Sequence, residues 1–205
     1  MREIILLGAG GHAAVVAEAA HAEGFSILGV LDDNPTNTIP IEGVKYLGSV
    51  SSPSAEIYEL LQNGVQVHAA IGDAKLRRTW LEQFEPAPAA TIVHPTAVLS
   101  PSACVDPGVF IGPMSVVNAR AHIEQGAIIN SSAIVEHDVH VGAFAHIAPG
   151  AILAGGAVIG NDAFVGAGSV VLPGVHVGPR ATLGAGSVAL HDICSETTAV
   201  GTPAR

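Results

Sequence analysis

From Val93 onward the chain sets an aliphatic residue at every sixth position without a slip: Val93, Leu99, Val105, Ile111, Val117, Ile123, Ile129, Val135, Val141, Ile147, Leu153, Ile159, Val165, Val171, Val177 and Leu183. Four places after each stands a small or slim residue, among them Ala97, Ala121, Ala133, Ala145, Ala157 and Ser187. Six residues make a short strand and a bend. Three such units close a triangular coil, and successive coils pair as parallel strands ~4.8 Å apart. The aliphatic residue fills the interior and the small one lets the chain turn beside it. Glycine or asparagine at Gly112, Asn130, Gly142, Gly160, Gly166 and Gly184 suits tight bends. The repeat therefore predicts a left-handed parallel β-helix, a one-dimensional stack whose ends need covering. The scarcity of aromatic residues, 4% of the chain, fits a narrow aliphatic core. No loop interrupts the repeat, so selectivity for any ligand is expected to lie mostly before Val93.

Residues 1–85 read differently, as alternating strand and helix. Ile4–Leu7, Ile27–Leu31 and Val67–Ile71 are strands, and Ala14 to Glu23 and Ala74 to Phe84 are helices. This is a small α/β half-Rossmann domain of three or four parallel strands. The stretch 86–92, which includes Pro86-Ala87-Pro88, is a linker, and 93–205 is the β-helix with a C-terminal cap. After the first strand, Gly8-Ala9-Gly10-Gly11-His12-Ala13 fits the dinucleotide fingerprint G-x-G-x-x-A, with Asp32 and Asp33 about 20 residues on. Glycines let backbone approach a pyrophosphate, and a helix N-terminus favours its charge. The domain is too short for two mononucleotide halves, so a nucleotide-sugar suits it better than NAD. The bland alternative is a tight turn with no ligand.

A net charge of −10 with only eight Lys and Arg argues against nucleic acid or an anionic membrane as partner. No apolar run approaches the roughly 18 residues of a membrane span. The N-terminal run is broken at Gly8, too early for a signal peptide. A soluble, cytoplasmic protein is expected. Cys104 and Cys194 stand far apart with no metal-type spacing, which predicts two reduced, buried thiols.

The cluster Glu136-His137-Asp138 carries the clearest chemistry. His137 falls on an outward bend of the repeat. One ring nitrogen of a carboxylate-flanked imidazole can take a proton while the carboxylate orients the ring. His146, nine residues on, also falls near an edge. His122 and His140 should stack on adjacent coils, as a histidine ladder or as two zinc ligands lacking a clear third, as in carbonic anhydrases of this repeat. A metal is not expected. No Ser or Cys stands in a nucleophile setting, so transfer should be direct.

The whole resembles the NeuD/PglD family of bacterial hexapeptide-repeat sugar acetyltransferases. The likeness rests on Leu7-Gly8-Ala9-Gly10-Gly11-His12, Leu31-Asp32-Asp33, Ala70-Ile71-Gly72-Asp73, His94-Pro95, Glu136-His137-Asp138 and the tail Val200-Gly201-Thr202-Pro203-Ala204-Arg205. It implies a homotrimer with active sites between neighbouring β-helices, a UDP-sugar held by the first domain and acetyl-CoA along the coils. Carried over by position, Gly10, Gly11, His12, Asp32, Asp33 and Gly72 contact the nucleotide-sugar. His137 is the general base and Asp138, where N-acetylating members carry Glu, tunes it. His146, Gly155 and Ala167 line the acetyl-CoA site, and the rare cations Arg180 and Arg205 are candidates for its phosphates. The implied reaction is N-acetylation of a 4-amino-4,6-dideoxy sugar, with a backbone amide steadying the oxyanion. The alternatives are O-acetylation of sialic acid or another hydroxyl, a non-catalytic nucleotide-sugar sensor, and a zinc carbonic anhydrase.

Overall fold

The computed structural model describes residues 2–36 and 43–205, and the chain forms two compact units, residues 1–95 and 96–205. The first holds β1 (Arg2–Leu7), α1 (Gly11–Ala22), β2 (Phe25–Leu31), β3 (Tyr46–Gly48), α2 (Ala55–Gln62), β4 (Gln66–Ala69) and α3 (Ala74–Gln83). Its sheet runs β3-β2-β1-β4 with every pair parallel. The central strand β1 carries the continuous apolar run Ile4-Ile5-Leu6-Leu7, which is wholly buried. A strand covered on both faces loses the alternation of a half-exposed one. Helix α1 lays Ala13, Val16, Ala17 and Ala20 into the core. It starts at Gly11 rather than Ala14, because the first turn needs no intrahelical N–H partner and so accepts Gly11 and His12.

Strand β3 and helix α2 are absent from the sequence reading. The strand is three residues long and the helix only eight, with Ile57 and Leu61 one turn apart facing the core, so each is too short for its pattern to stand out. Residues 86–90 lie along β4: the Val67 N–H donates to the Pro88 carbonyl (3.1 Å) and the Ala90 N–H to the Val67 carbonyl (2.7 Å). No helix among the described residues is long and apolar enough to cross a membrane.

The second unit is the left-handed β-helix. Its strands are two residues long and combine the sixth place of one hexad with the first of the next, as in His122–Ile123, His140–Val141 and Val158–Ile159. These pair in register with the strand one coil on, so each of the three faces is a parallel sheet. The first-place residues from Ile111 to Leu183 are buried, as are Ala121, Ala133, Ala145, Ala157, Ser169 and Ser187 at the fifth place. Three earlier aliphatics depart from the expected pattern, Val93 being half-buried. Leu99 remains 39% exposed and Val105 is half-buried. The first coil has a following coil to pack on and no preceding one.

The bends are made otherwise than the sequence suggests. Positive φ falls on the fourth place of every hexad from Gly108 to Gly186, glycine or not, including Met114 (57°), Arg120 (60°), Asp138 (60°) and Arg180 (57°). The second-place glycines serve close approach instead. A Cβ on Gly160 would stand 2.4 Å from the Pro179 nitrogen, and one on Gly166 2.5 Å from the Ala185 nitrogen. Side-chain-free backbone is needed there because the next coil lies directly on it. At the C-terminal end the stack shortens its step: Val177 bridges Ile193 and Leu183 pairs with Ala199, 16 residues apart in each case. Ile193 and Ala199 close over the last coil and are buried. Both cysteines are free and exposed, contrary to expectation. Cys104 occupies an outward sixth place and Cys194 lies in the terminal segment, so neither points into the aliphatic interior.

Candidate active site

In the β-helix the third place of a hexad projects from a corner of the triangle. There His137 stands 59% exposed, and its Nδ1 lies 2.8 Å from Asp138 Oδ2. The left-handed backbone at Asp138 turns its short side chain back beside the preceding ring, and Asp tolerates that conformation better than most residues. A carboxylate can only accept, so it fixes the hydrogen on Nδ1 and leaves Nε2 with a lone pair. Asp138 is held well below the usual carboxylate range by the hydrogen bond from Arg120 first and that from His137 second. It stays ionised at any working pH. The ring leans over the next coil. A Cβ on Gly155 would fall 2.7 Å from both Cε1 and Nε2 of His137. Gly155, expected against the cofactor, is thus also the floor under the imidazole.

Arg120 is a partner that sequence reasoning missed. Its Nε donates to Asp138 Oδ1 (2.6 Å) and its Nη2 to Oδ2 (2.8 Å). The signal was present: Arg120 and Asp138 are 18 residues apart and both occupy fourth places, hence neighbouring coils of one edge.

The other cofactor candidates lie elsewhere on the triangle. The Asn130 amide donates to His146 Nε2 (3.1 Å), and the His146 ring meets Phe164 edge-on with centroids 5.2 Å apart. Ala167 is exposed on the bend that follows the face of His146. Arg180 sits on the third edge, and its Nε donates to Glu196 Oε1 at 2.9 Å. Its charge is therefore already answered, which weakens it as a phosphate contact. The Arg205 backbone pairs with Val200 in both directions at 3.1 Å.

The expected histidine ladder is present. His122 and His140 pair in register with ring centroids 5.1 Å apart. Each ring reaches the carboxylate one coil back, His140 to Glu124 (2.8 Å) and His122 to Asp106 (3.4 Å). The ladder also supplies the third donor that the sequence left unclear. The atoms of His122, Glu124 and His140 lie within 4.8 Å of one another, as do those of Cys104, Asp106 and His122. These rings have hydrogen-bond partners without an ion.

In the first unit, Gly8, Gly10, Gly11, His12, Asp32, Ala70, Ile71 and Gly72 line a cavity of about 220 Å³ at the carboxyl ends of β1 and β4. Five of the six sequence-predicted substrate residues meet there. Buried Asp32 accepts from the Ala9 N–H (2.7 Å) and the Asn34 N–H (2.8 Å), which fixes the glycine turn. Gly8 has φ +106°, and a Cβ there would press on the Ala70 carbonyl. Around Gly10 and Gly11 a Cβ would meet nothing within 4 Å. Asp33 does not line the cavity. It accepts from the Ser49 hydroxyl (2.6 Å) and from both the N–H (2.8 Å) and hydroxyl (2.6 Å) of Ser51. Burial pushes its carboxyl up, but these hydrogen bonds outweigh that and leave it below its ordinary value. Asp33 orders its neighbouring loop, an outcome that spacing alone could not show.

Arg77 was also missed. It is buried on α3, and its Nη1 donates to the carbonyls of Ile71 (2.9 Å) and Gly72 (3.0 Å). It thereby holds the wall of the cavity, while Asp73 caps α3 through the Leu76 N–H (2.8 Å).

Comparison with known proteins supports both units. Residues 3–84 match the PglD N-terminal domain family, and residues 156–190 match the bacterial transferase hexapeptide (six repeats) family. No curated protein sequence matches the chain. Among solved structures, PerB from Caulobacter crescentus, in complex with CoA and GDP-perosamine, is 34% identical with a TM-score of 0.91, over 99% of this chain and 96% of that one. The acetyltransferase domain of PglB from Neisseria gonorrhoeae, in complex with acetyl coenzyme A, is 33% identical with a TM-score of 0.91, over 100% of this chain and 98% of that one. WeeI from Acinetobacter baumannii, 22% identical with a TM-score of 0.81 over 98% of each chain, shares the fold. The chain belongs to the PglD-like family of hexapeptide-repeat sugar acetyltransferases and is an acyltransferase with acetyl-CoA as its co-substrate.

Proposed function

We propose that this enzyme transfers the acetyl group of acetyl-CoA to the 4-amino group of a nucleotide-linked 4-amino-4,6-dideoxy sugar, with His137 as general base. The observation that carries this reading is the His137–Asp138 pair, in which Nδ1 faces the carboxylate and Nε2, beside Gly155, keeps its lone pair. As the neutral amine attacks the thioester carbonyl, a C–N bond forms and Nε2 takes the amine proton. The tetrahedral species then expels the CoA thiolate, which takes that proton from the imidazolium. Asp138, kept ionised, steadies the imidazolium meanwhile. The cavity at Gly10, Gly11, His12, Asp32 and Gly72 receives the diphosphate and nucleoside, with backbone amides at the start of α1 facing the charge. UDP is the nucleotide that the family resemblance implies, whereas PerB was solved with a GDP-sugar. In this reading the enzyme works in the cytoplasm as a homotrimer.

The test combines a base variant with an acceptor screen. His137→Ala should lower kcat by ~10²-fold or more, the usual scale for loss of a general base, while UDP or GDP still binds to the first unit. Mass spectrometry of UDP-, GDP- and dTDP-linked 4-amino sugars incubated with acetyl-CoA should show one mono-acetylated product. Near-full activity in His137→Ala would remove the base assignment. Acetylation of hydroxyl acceptors alone would remove the amine.

A further inference from the structure

We propose that Arg120 is a positioning residue for the transfer reaction, acting on His137 through Asp138; this rests on the reading of His137 as the base. The repeat itself makes the arrangement. Arg120 and Asp138 occupy the same place on successive coils, both with φ 60°, so their side chains leave one edge side by side. The planar guanidinium meets the carboxylate with two parallel hydrogen bonds of 2.6 and 2.8 Å, and Asp138 Oδ2 also faces His137 Nδ1 at 2.8 Å. The three side chains form one chain of contacts from cation to carboxylate to imidazole.

Exposure makes the cation necessary. The Arg120, Asp138 and His137 side chains are 65%, 44% and 59% exposed. A single hydrogen bond between an exposed carboxylate and an exposed ring competes with water and holds orientation poorly. A bidentate guanidinium fixes the plane of the carboxylate, which one acceptor–donor contact cannot do. With that plane fixed, Oδ2 stays on Nδ1, and Nε2 stays above Gly155. Asp138 has a shorter reach than Glu would have, and the fork from the preceding coil fixes which way that short acid faces.

An ion pair that merely staples two coils would affect stability alone. Arg180 and Glu196, likewise at positive φ and joined by hydrogen bonds, show such a pair with no imidazole attached. The decisive readout is therefore the ring, not the melting temperature. The 15N shifts of the His137 imidazole, measured at pH 8.5 without substrate, report which nitrogen carries the hydrogen. The wild-type protein should show one tautomer, Nδ1–H. Arg120→Ala should show a mixture, and Arg120→Lys an intermediate one, since an ammonium restores charge without the fork. With acetyl-CoA and GDP-perosamine as probes, kcat should fall ~10-fold in Arg120→Ala with the KM for acetyl-CoA unchanged, an estimate on the scale of one hydrogen bond to a charged group. In an Asp138→Asn background the Arg120→Ala change should have no further effect. An unchanged tautomer in Arg120→Ala overturns the proposal. Because that spectrum needs no turnover, an altered tautomer in a protein whose His137→Ala variant still works would keep the coupling and discard the base.

Discussion

Glycine means opposite things in the two units. In the β-helix, the second-place glycines are demanded by the protein's own packing, because a Cβ on Gly142, Gly160 or Gly166 would run into backbone of the next coil. In the α/β unit, Gly10 and Gly11 have open space where a Cβ would go, yet they stand at the mouth of the cavity and open a helix. Gly10 is the N-cap, a place that accepts glycine, but Gly11 lies in the helix itself, where alanine is the better helix former by up to about 0.5–1 kcal/mol. In the proposed function the reason lies outside the chain, in a ligand that needs the backbone bare. One kind of glycine is explained by the fold, the other is open to a ligand, and only structure separates them.

That contrast is sharpest at Gly160. Gly160→Ala forces a methyl against Pro179 and Gly178, backbone that cannot swing aside. Overpacking of this kind costs about 1–3 kcal/mol. At roughly 2–4 °C per kcal/mol for a chain of this size, thermal unfolding should move down by about 2–12 °C. A variant that melts with the wild type would show that coil stacking does not fix these glycines.

Gly11→Ala should do the reverse. Nothing lies within 4 Å of its Cβ, and alanine is the better helix former, so the melting temperature should hold or rise slightly. Binding of UDP or GDP, followed by calorimetry, should weaken by ~10-fold, equivalent to about 1.4 kcal/mol. Unchanged affinity would return the glycine turn to a simple strand-to-helix connection.

The repeat was legible because its physics is local and periodic: one aliphatic place, one small place, one step of six. The Arg120–Asp138 pair was equally legible, since a spacing of 18 residues is one coil. What could not be read was anything decided across strands. Which of Asp32 and Asp33 faces the cavity depends on where β2 ends against β3, a three-residue strand with no pattern of its own. Arg77 looks like any charge on a surface helix until α3 packs it beneath the Ile71 and Gly72 carbonyls. The bends misled for a different reason. Glycine in a sequence suggests a turn, while in this fold the coil supplies the left-handed conformation at the fourth place and imposes it on Arg120 and Asp138 alike.

The two units should also part company in acid. Among the described residues the buried polar side chains of the coils are serines, Ser115, Ser169 and Ser187, which do not titrate in the ordinary range. The first unit buries His68 on β4, where its Nδ1 lies 2.8 Å from the Ala90 carbonyl. Burial first, and the nearby Arg77 charge second, lower its pKa from 6.5 to about 4 against the opposing pull of that hydrogen bond. The unfolded chain therefore takes up a proton between pH 6.5 and 4 that the folded chain refuses. Stability is complete above about pH 7 and falls as the pH drops through that window. At about 1.4 kcal/mol per pH unit, the loss is roughly 1 kcal/mol by pH 5.5 and about 3 kcal/mol once pH 4 is passed. Native-state hydrogen exchange at pH 7 and 5.5 locates it: protection at Leu6 and Val67 should weaken by several-fold more than at Ile129 and Val135, after correction for intrinsic exchange. Equal weakening in both units would mean that the acid sensitivity belongs to the whole chain and not to the buried histidine.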